Sequence, residues 1–168
     1  EPHEVDMRRF TTVWSHSLFA TADHLAWLYE LSHTSVQSHL FDSQLLRIKL
    51  SSNPALPQHV MEQMWSISPD GYASKSFQAR QHVLATNPNL PEELLKSFTL
   101  NCRLSKLVLV MKNPNLTPDV FEVLVQRMET ADPSTEIGKT VHQMAKEHLL
   151  PNPSIPREYL LQHASDLT

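Results

Sequence analysis

Ten histidines stand among 168 residues, with a single cysteine, Cys102. These are the side chains that most often ligate zinc or act as bases and nucleophiles, so their spacing decides which chemistry is open. Two ligands on one helix face need a separation of three or four residues. His16 and His24 are eight apart, while His33 and His39, like His142 and His148, are six apart. None of these pairs shares a face, and no metal site is expected. Their number implies only a charge that rises below about pH 6.5. Cys102 precedes Arg103 and Lys106, cations that lower a thiol pKa when a cysteine heads a helix. No histidine can be named as its base, and a core cysteine is the expectation. Glu92 and Glu93 are adjacent, point in different directions from a helix, and read as a helix start. Trp14, Trp27 and Trp65 are expected in the core. No catalytic residue, cofactor or metal emerges, and the chain reads as a non-enzyme.

Composition narrows the classes further. Gly71 and Gly138 are the only glycines. Phosphate-cradling loops need several, so P-loop, dinucleotide-binding and kinase readings fall away. The length suits one domain with one core. Net charge is −4, which gives no global signal for nucleic acid or membrane. No run of 18 apolar residues is present to cross a bilayer, and no membrane partner is expected. The first residues, EPHEVDMRRF, lack the apolar stretch of a signal peptide. They also lack an initiator Met, as a trimmed chain or a piece of a longer protein would. One cysteine permits no internal disulfide, which fits a reducing, cytoplasmic setting.

The twelve prolines carry the organisation. "SSNPALPQHVMEQM", "LATNPNLPEELLKSF", "MKNPNLTPDVFEVLV" and "LPNPSIPREYLLQHA" align on Asn53, Asn87, Asn113 and Asn152. With Asn at position zero, Pro follows at +1. Position +3 is Leu56, Leu90, Leu116 and Ile155. Position +4 is Pro57, Pro91, Thr117 and Pro156. Positions +7 and +8 are apolar throughout, as is position −3. The spacings are 34, 26 and 39 residues, a period typical of helical repeats. Proline disfavours the α conformation in the residue before it, so Asn-Pro stops the incoming helix. Asparagine bonds to backbone groups freed at the turn. Proline at +4 suits the first turn of the next helix, and Glu92, Glu93, Asp119 and Glu158 sit near its positive end.

Each motif therefore predicts a tight turn between two helices. First helices are predicted at 57–68, 91–100, 118–130 and 156–166. Second helices are predicted at 43–51, 74–85, 102–111 and 137–149. Loops fall at SPDGY, residues 68–72, and at TADPSTEIG, residues 130–138. Residues 1–41 read as capping helices, with His33–Phe41 as a possible degenerate copy. Residues 42–168 form the helical repeats of a single domain. No strand pattern is seen. The fold expected is an all-α, right-handed α-solenoid of stacked helical pairs joined by Asn-Pro-x-Leu-Pro turns.

These turns resemble the leucine-rich repeat variant family and, more loosely, HEAT-type solenoids. That family runs as helix, Asn-Pro-x-x-Pro, helix, with an arginine ahead of Asn-Pro. "FQARQHVLATNPNLPEELL" is the best copy, with Arg80 in that position. Arg47, Lys106 and Lys146 take the corresponding places in the other copies. The resemblance covers roughly residues 42–168 and implies architecture, not activity. Two of the three intervals exceed the family's usual length, and the cysteine cluster of one member type is absent.

Charge is segregated between the two helix sets. The second-helix segments hold Arg47, Lys49, Lys75, Arg80, Arg103, Lys106, Lys112, Lys139 and Lys146 against two acids, Asp42 and Glu147. The first-helix segments hold nine acids against Lys96, Arg127 and Arg157. In stacked pairs each set lines one side, so the second helices should present a basic face. Those nine cations are the candidate partner-binding residues. Such a face attracts an acidic protein surface or a phosphate backbone. A protein partner is favoured, because no aromatic residues interleave the cations as stacking platforms for single-stranded nucleic acid. A nucleic-acid-binding solenoid and a structural domain of a larger protein are the alternatives.

Overall fold

The computed structural model describes residues 20–32, 43–66 and 75–162. Every regular element among them is helical, and the first- and second-helix segments lie close to where the prolines put them. Residues 1–19 of the expected capping segment, the copy at His33–Phe41 and the loop at 68–72 lie outside the described residues. Two compact units are present, Glu1–Asn89 and Leu90–Thr168.

The first unit begins with α1, Ala22–Leu31. Thr21 caps it, accepting from the His24 amide, while His24 Nδ1 reaches back to the Thr21 amide. Leu25, Leu28 and Tyr29 face inward at helical spacing. Trp27 does not share that face and is 52% exposed, so it is not the core residue its type suggested. Helix α2 (Ser43–Ser51) follows, then α3 (Gln58–Ser66) and α4 (Lys75–Ala85). Helix α2 packs on α1 and α4, and α3 packs on α4. Leu46, Leu50, Val60, Met61, Met64, Phe77 and Leu84 form the core.

The second unit opens with α5, Glu92–Asn101. A helix was expected from Cys102, yet Cys102 and Arg103 are extended (ψ 160° and 148°). The chain re-enters helix only through a 3-10 turn at Leu104–Lys106, which leads into the short α6, Leu107–Met111. Next come α7 (Pro118–Glu129) and α8 (Glu136–Met144), which runs into a π turn at Ala145–Leu149. Helix α9, Arg157–Gln162, follows. Helix α7 packs along α5, while α6 packs on α8 and the π turn. Phe121 and Tyr159 meet edge to face with centroids 5.0 Å apart.

The four asparagines behave alike. Each Oδ1 accepts from the backbone N–H two residues on, at Ala55, Asn89, Asn115 and Ser154, always at 2.9 Å. Each asparagine is buried. At +4, Pro91 is the N-cap and offers no side-chain acceptor. Thr117, the exception at +4, does cap: its Oγ accepts from Val120, with Pro118 as the first helical residue.

Candidate interaction face

The nine candidate cations do not share one fate. In the first unit, Arg47 and Arg80 are buried at 8% and 6% exposure. Arg47 Nε donates to Ser32 Oγ at 2.9 Å and its Nη2 to the Ser32 carbonyl at 2.8 Å. It therefore ties α2 to the end of α1. Arg80 lies over the Phe77 ring, 5.3 Å from its centroid. Burial pulls the Arg80 pKa down, with Arg47 adding to the effect. Burial likewise pushes the neighbouring Tyr29 hydroxyl up, against the pull of both arginines. These two arginines are internal and cannot form part of a surface, which corrects the sequence-based face. Lys49 is half-buried, and the side chain of Lys75 lies outside the described residues.

The second unit keeps more of the pattern, although Glu136 and Glu147 are exposed on the same stretch. Arg103, Lys112, Lys139 and Lys146 are exposed and Lys106 is half-buried. They belong to the segment before Asn113 and to the α8 stretch, which pack on one another. Lys139 reaches Glu136 at 3.2 Å, both well exposed. Exposed pairs of this kind contribute at most about 1 kcal/mol and leave the lysine available. On the first helices of the same unit, Glu92, Glu93, Asp119, Glu122, Glu129 and Glu158 are exposed. Two of the cations there are engaged locally. Lys96 donates to Asp119 at 2.9 Å, a bond that raises the lysine pKa. Arg127 Nη2 donates to the Cys102 carbonyl at 2.7 Å. Helix-end preferences account for part of this division, but Arg103 and Lys139 are not at helix C-terminal ends.

Cys102 is not an activated thiol. Burial pushes its pKa up to about 11, outweighing the nearby Arg127. Sequence position suggested cations beside the sulfur; the extended backbone at Cys102 and Arg103 instead leaves the thiol half-buried, with Sγ 3.9 Å from the Thr99 carbonyl. No group of three or more His, Cys, Asp or Glu side chains suited to a metal ion occurs among the described residues.

No family model, curated protein or solved structure matches this chain. The site therefore rests on its own geometry. Among the described residues, no helix is long and apolar enough to cross a membrane.

Sequence reasoning missed one set of contacts. Asn87 Nδ2 donates to the carbonyls of Ser51 and Asn53, at 2.9 and 3.0 Å. Asn152 Nδ2 donates to those of Met111 and Asn113, at 2.8 and 2.6 Å. Both reach positions −2 and zero of an earlier turn in the same unit. The +2 residue adds a third bond, from Asn89 Nδ2 to the Pro54 carbonyl and from Ser154 Oγ to the Pro114 carbonyl. A signal was present. Aspartate would satisfy the local Oδ1 role equally well, yet position zero is Asn in all four copies, and only Asn carries a donor.

Proposed function

We propose that this chain is a right-handed α-solenoid of the leucine-rich repeat variant type, acting as a non-enzymatic protein-interaction module. Its binding surface is the basic side of the second unit, formed by Arg103, Lys106, Lys112, Lys139 and Lys146. The partner is a protein with an acidic surface. The single observation that carries this reading is the charge division within that unit. The second-helix stretches carry five cations against two exposed carboxylates, Glu136 and Glu147, whereas the first helices carry six exposed carboxylates against one exposed cation, Arg157, with Lys96 and Arg127 engaged locally. Such a surface steers an oppositely charged partner and sets its orientation. The repeat reading is supported by the recurrence of one asparagine turn at all four motifs. The buried Arg47 ties α2 to the end of α1, the buried Arg80 lies over Phe77 of its own helix, and neither has a part in binding.

The test is a triple charge reversal, Arg103→Glu with Lys112→Glu and Lys146→Glu. All three sites are exposed, so the fold should survive, as circular dichroism would verify. Binding of a fluorescein-labelled Glu/Asp-rich peptide should fall at least about tenfold. Undiminished binding would remove the basic side from the account.

A further inference from the structure

The basic side of the second unit carries a titratable group that a count of its lysines and arginines leaves out. Along α8 and into the π turn, Lys139, His142 and Lys146 are all exposed and stand three and four residues apart. That spacing sets them on one edge of the helix. Gly138, Val141, Ala145 and Leu149 are buried and fix which way the helix faces. Glu136, Gln143 and Glu147 form a second row, seven and four residues apart. Each carboxylate of that row is held: Lys139 reaches Glu136 at 3.2 Å, and Gln143 Nε2 donates to Glu147 at 2.7 Å. His142 cannot chelate a metal with His148, but in its own row it stands between two lysines.

The elements packed on α8 are the 3-10 turn, α6, α7 and the π turn. The 3-10 turn brings Lys106, and α6 carries no charged residue. Helix α7 carries Asp119, Glu122, Arg127 and Glu129, and the π turn carries Lys146, Glu147 and His148. Among the described residues, no carboxylate comes within 4.0 Å of the His142 ring and no hydrogen bond engages it. A proton on this imidazole is therefore not cancelled in place and adds to the field of the two lysines. Histidine is the side chain whose charge changes between about pH 5 and 8. We infer that His142 makes the basic side of the second unit a pH-dependent docking surface, which holds its acidic protein partner more tightly as the pH falls. The inference rests on the reading of that side as the binding surface.

The probe is a rhodamine-labelled Glu/Asp-rich peptide, whose carboxylates stay ionised over the range used. Its binding to the full 168-residue chain is measured by fluorescence anisotropy at about pH 8.0 and about pH 5.5. Ionic strength is held constant, and circular dichroism follows the fold. Affinity should rise at least about threefold on acidification, as one added charge beside ionised carboxylates provides. His142→Gln should remove most of that gain. His148→Gln should keep it, because His148 is half-buried and six residues away. By linkage, the peptide should move the midpoint of the His142 ring resonances, followed by NMR, upward by about half a pH unit. Binding that holds at the higher pH but does not tighten, or a gain that survives His142→Gln in full, would overturn the inference and leave the basic surface standing. No binding at either pH would remove the basic surface itself, and the inference with it.

Discussion

Asparagine at position zero has two separable roles in its turn. Its oxygen closes the local turn, and its amide nitrogen reaches an earlier turn. Asn152→Asp isolates the second, because it keeps an acceptor for Ser154 but sets a carboxylate against the Met111 and Asn113 carbonyls. It should destabilise by at least about 1–3 kcal/mol in urea unfolding, because two buried hydrogen bonds are lost and a carboxylate faces two carbonyls. Equal stability of the variant would mean that the reach between turns contributes nothing. Cys102 gives a second prediction at this scale. With its thiol held up to about 11, it should react slowly with iodoacetamide at pH 8 and accelerate only as pH approaches that value. Rapid alkylation at neutral pH would show that burial does not control the sulfur.

At the scale of elements, prolines set the helix boundaries and buried apolar positions set the packing. Leu90 lies at +3 and is 7% exposed. Leu90→Ala should cost about 2–5 kcal/mol by unfolding in denaturant; a loss near zero would show the repeat to be misaligned. Gly138 is a different constraint. Its N–H is held by the Thr135 cap, and an added Cβ would lie 1.8 Å from the Asp132 carbonyl oxygen. Helix propensity favours alanine over glycine by about 1 kcal/mol, but here the obstacle is backbone and cannot swing aside. Gly138→Ala should therefore lower the thermal midpoint, with a net cost of about 1–3 kcal/mol, and a raised midpoint would refute the packing. Helix positions were readable because Asn-Pro fixes where a helix must stop. The broken start of α6 was not, since the extended Cys102 and Arg103 depend on Arg127, twenty-five residues away, taking the Cys102 carbonyl.

At the scale of the molecule, charge reads less directly than hydrophobic pattern. Nine cations on the second helices looked equivalent in sequence. Arg47 occupies an interior position because its guanidinium satisfies two acceptors at Ser32, while the buried Arg80 lies over the Phe77 ring. Nothing in the count of charges separates such a tie from a surface cation. The family resemblance, which marks an arginine ahead of Asn-Pro, held the only hint. Arg47→Ala should accordingly lower stability rather than binding, whereas Lys112→Ala should leave stability within about 0.5 kcal/mol. The surviving surface is the basic side of the second unit, and the account depends on its preferring an acidic protein to a phosphate backbone. The most direct measurement is fluorescence anisotropy of the chain with a labelled Glu/Asp-rich peptide and with single- and double-stranded nucleic acid, each across a salt series. The account predicts salt-sensitive binding of the peptide and little binding of either nucleic acid, even at low salt. Tight nucleic-acid binding with a steep negative salt slope, exceeding that of the peptide, would contradict it.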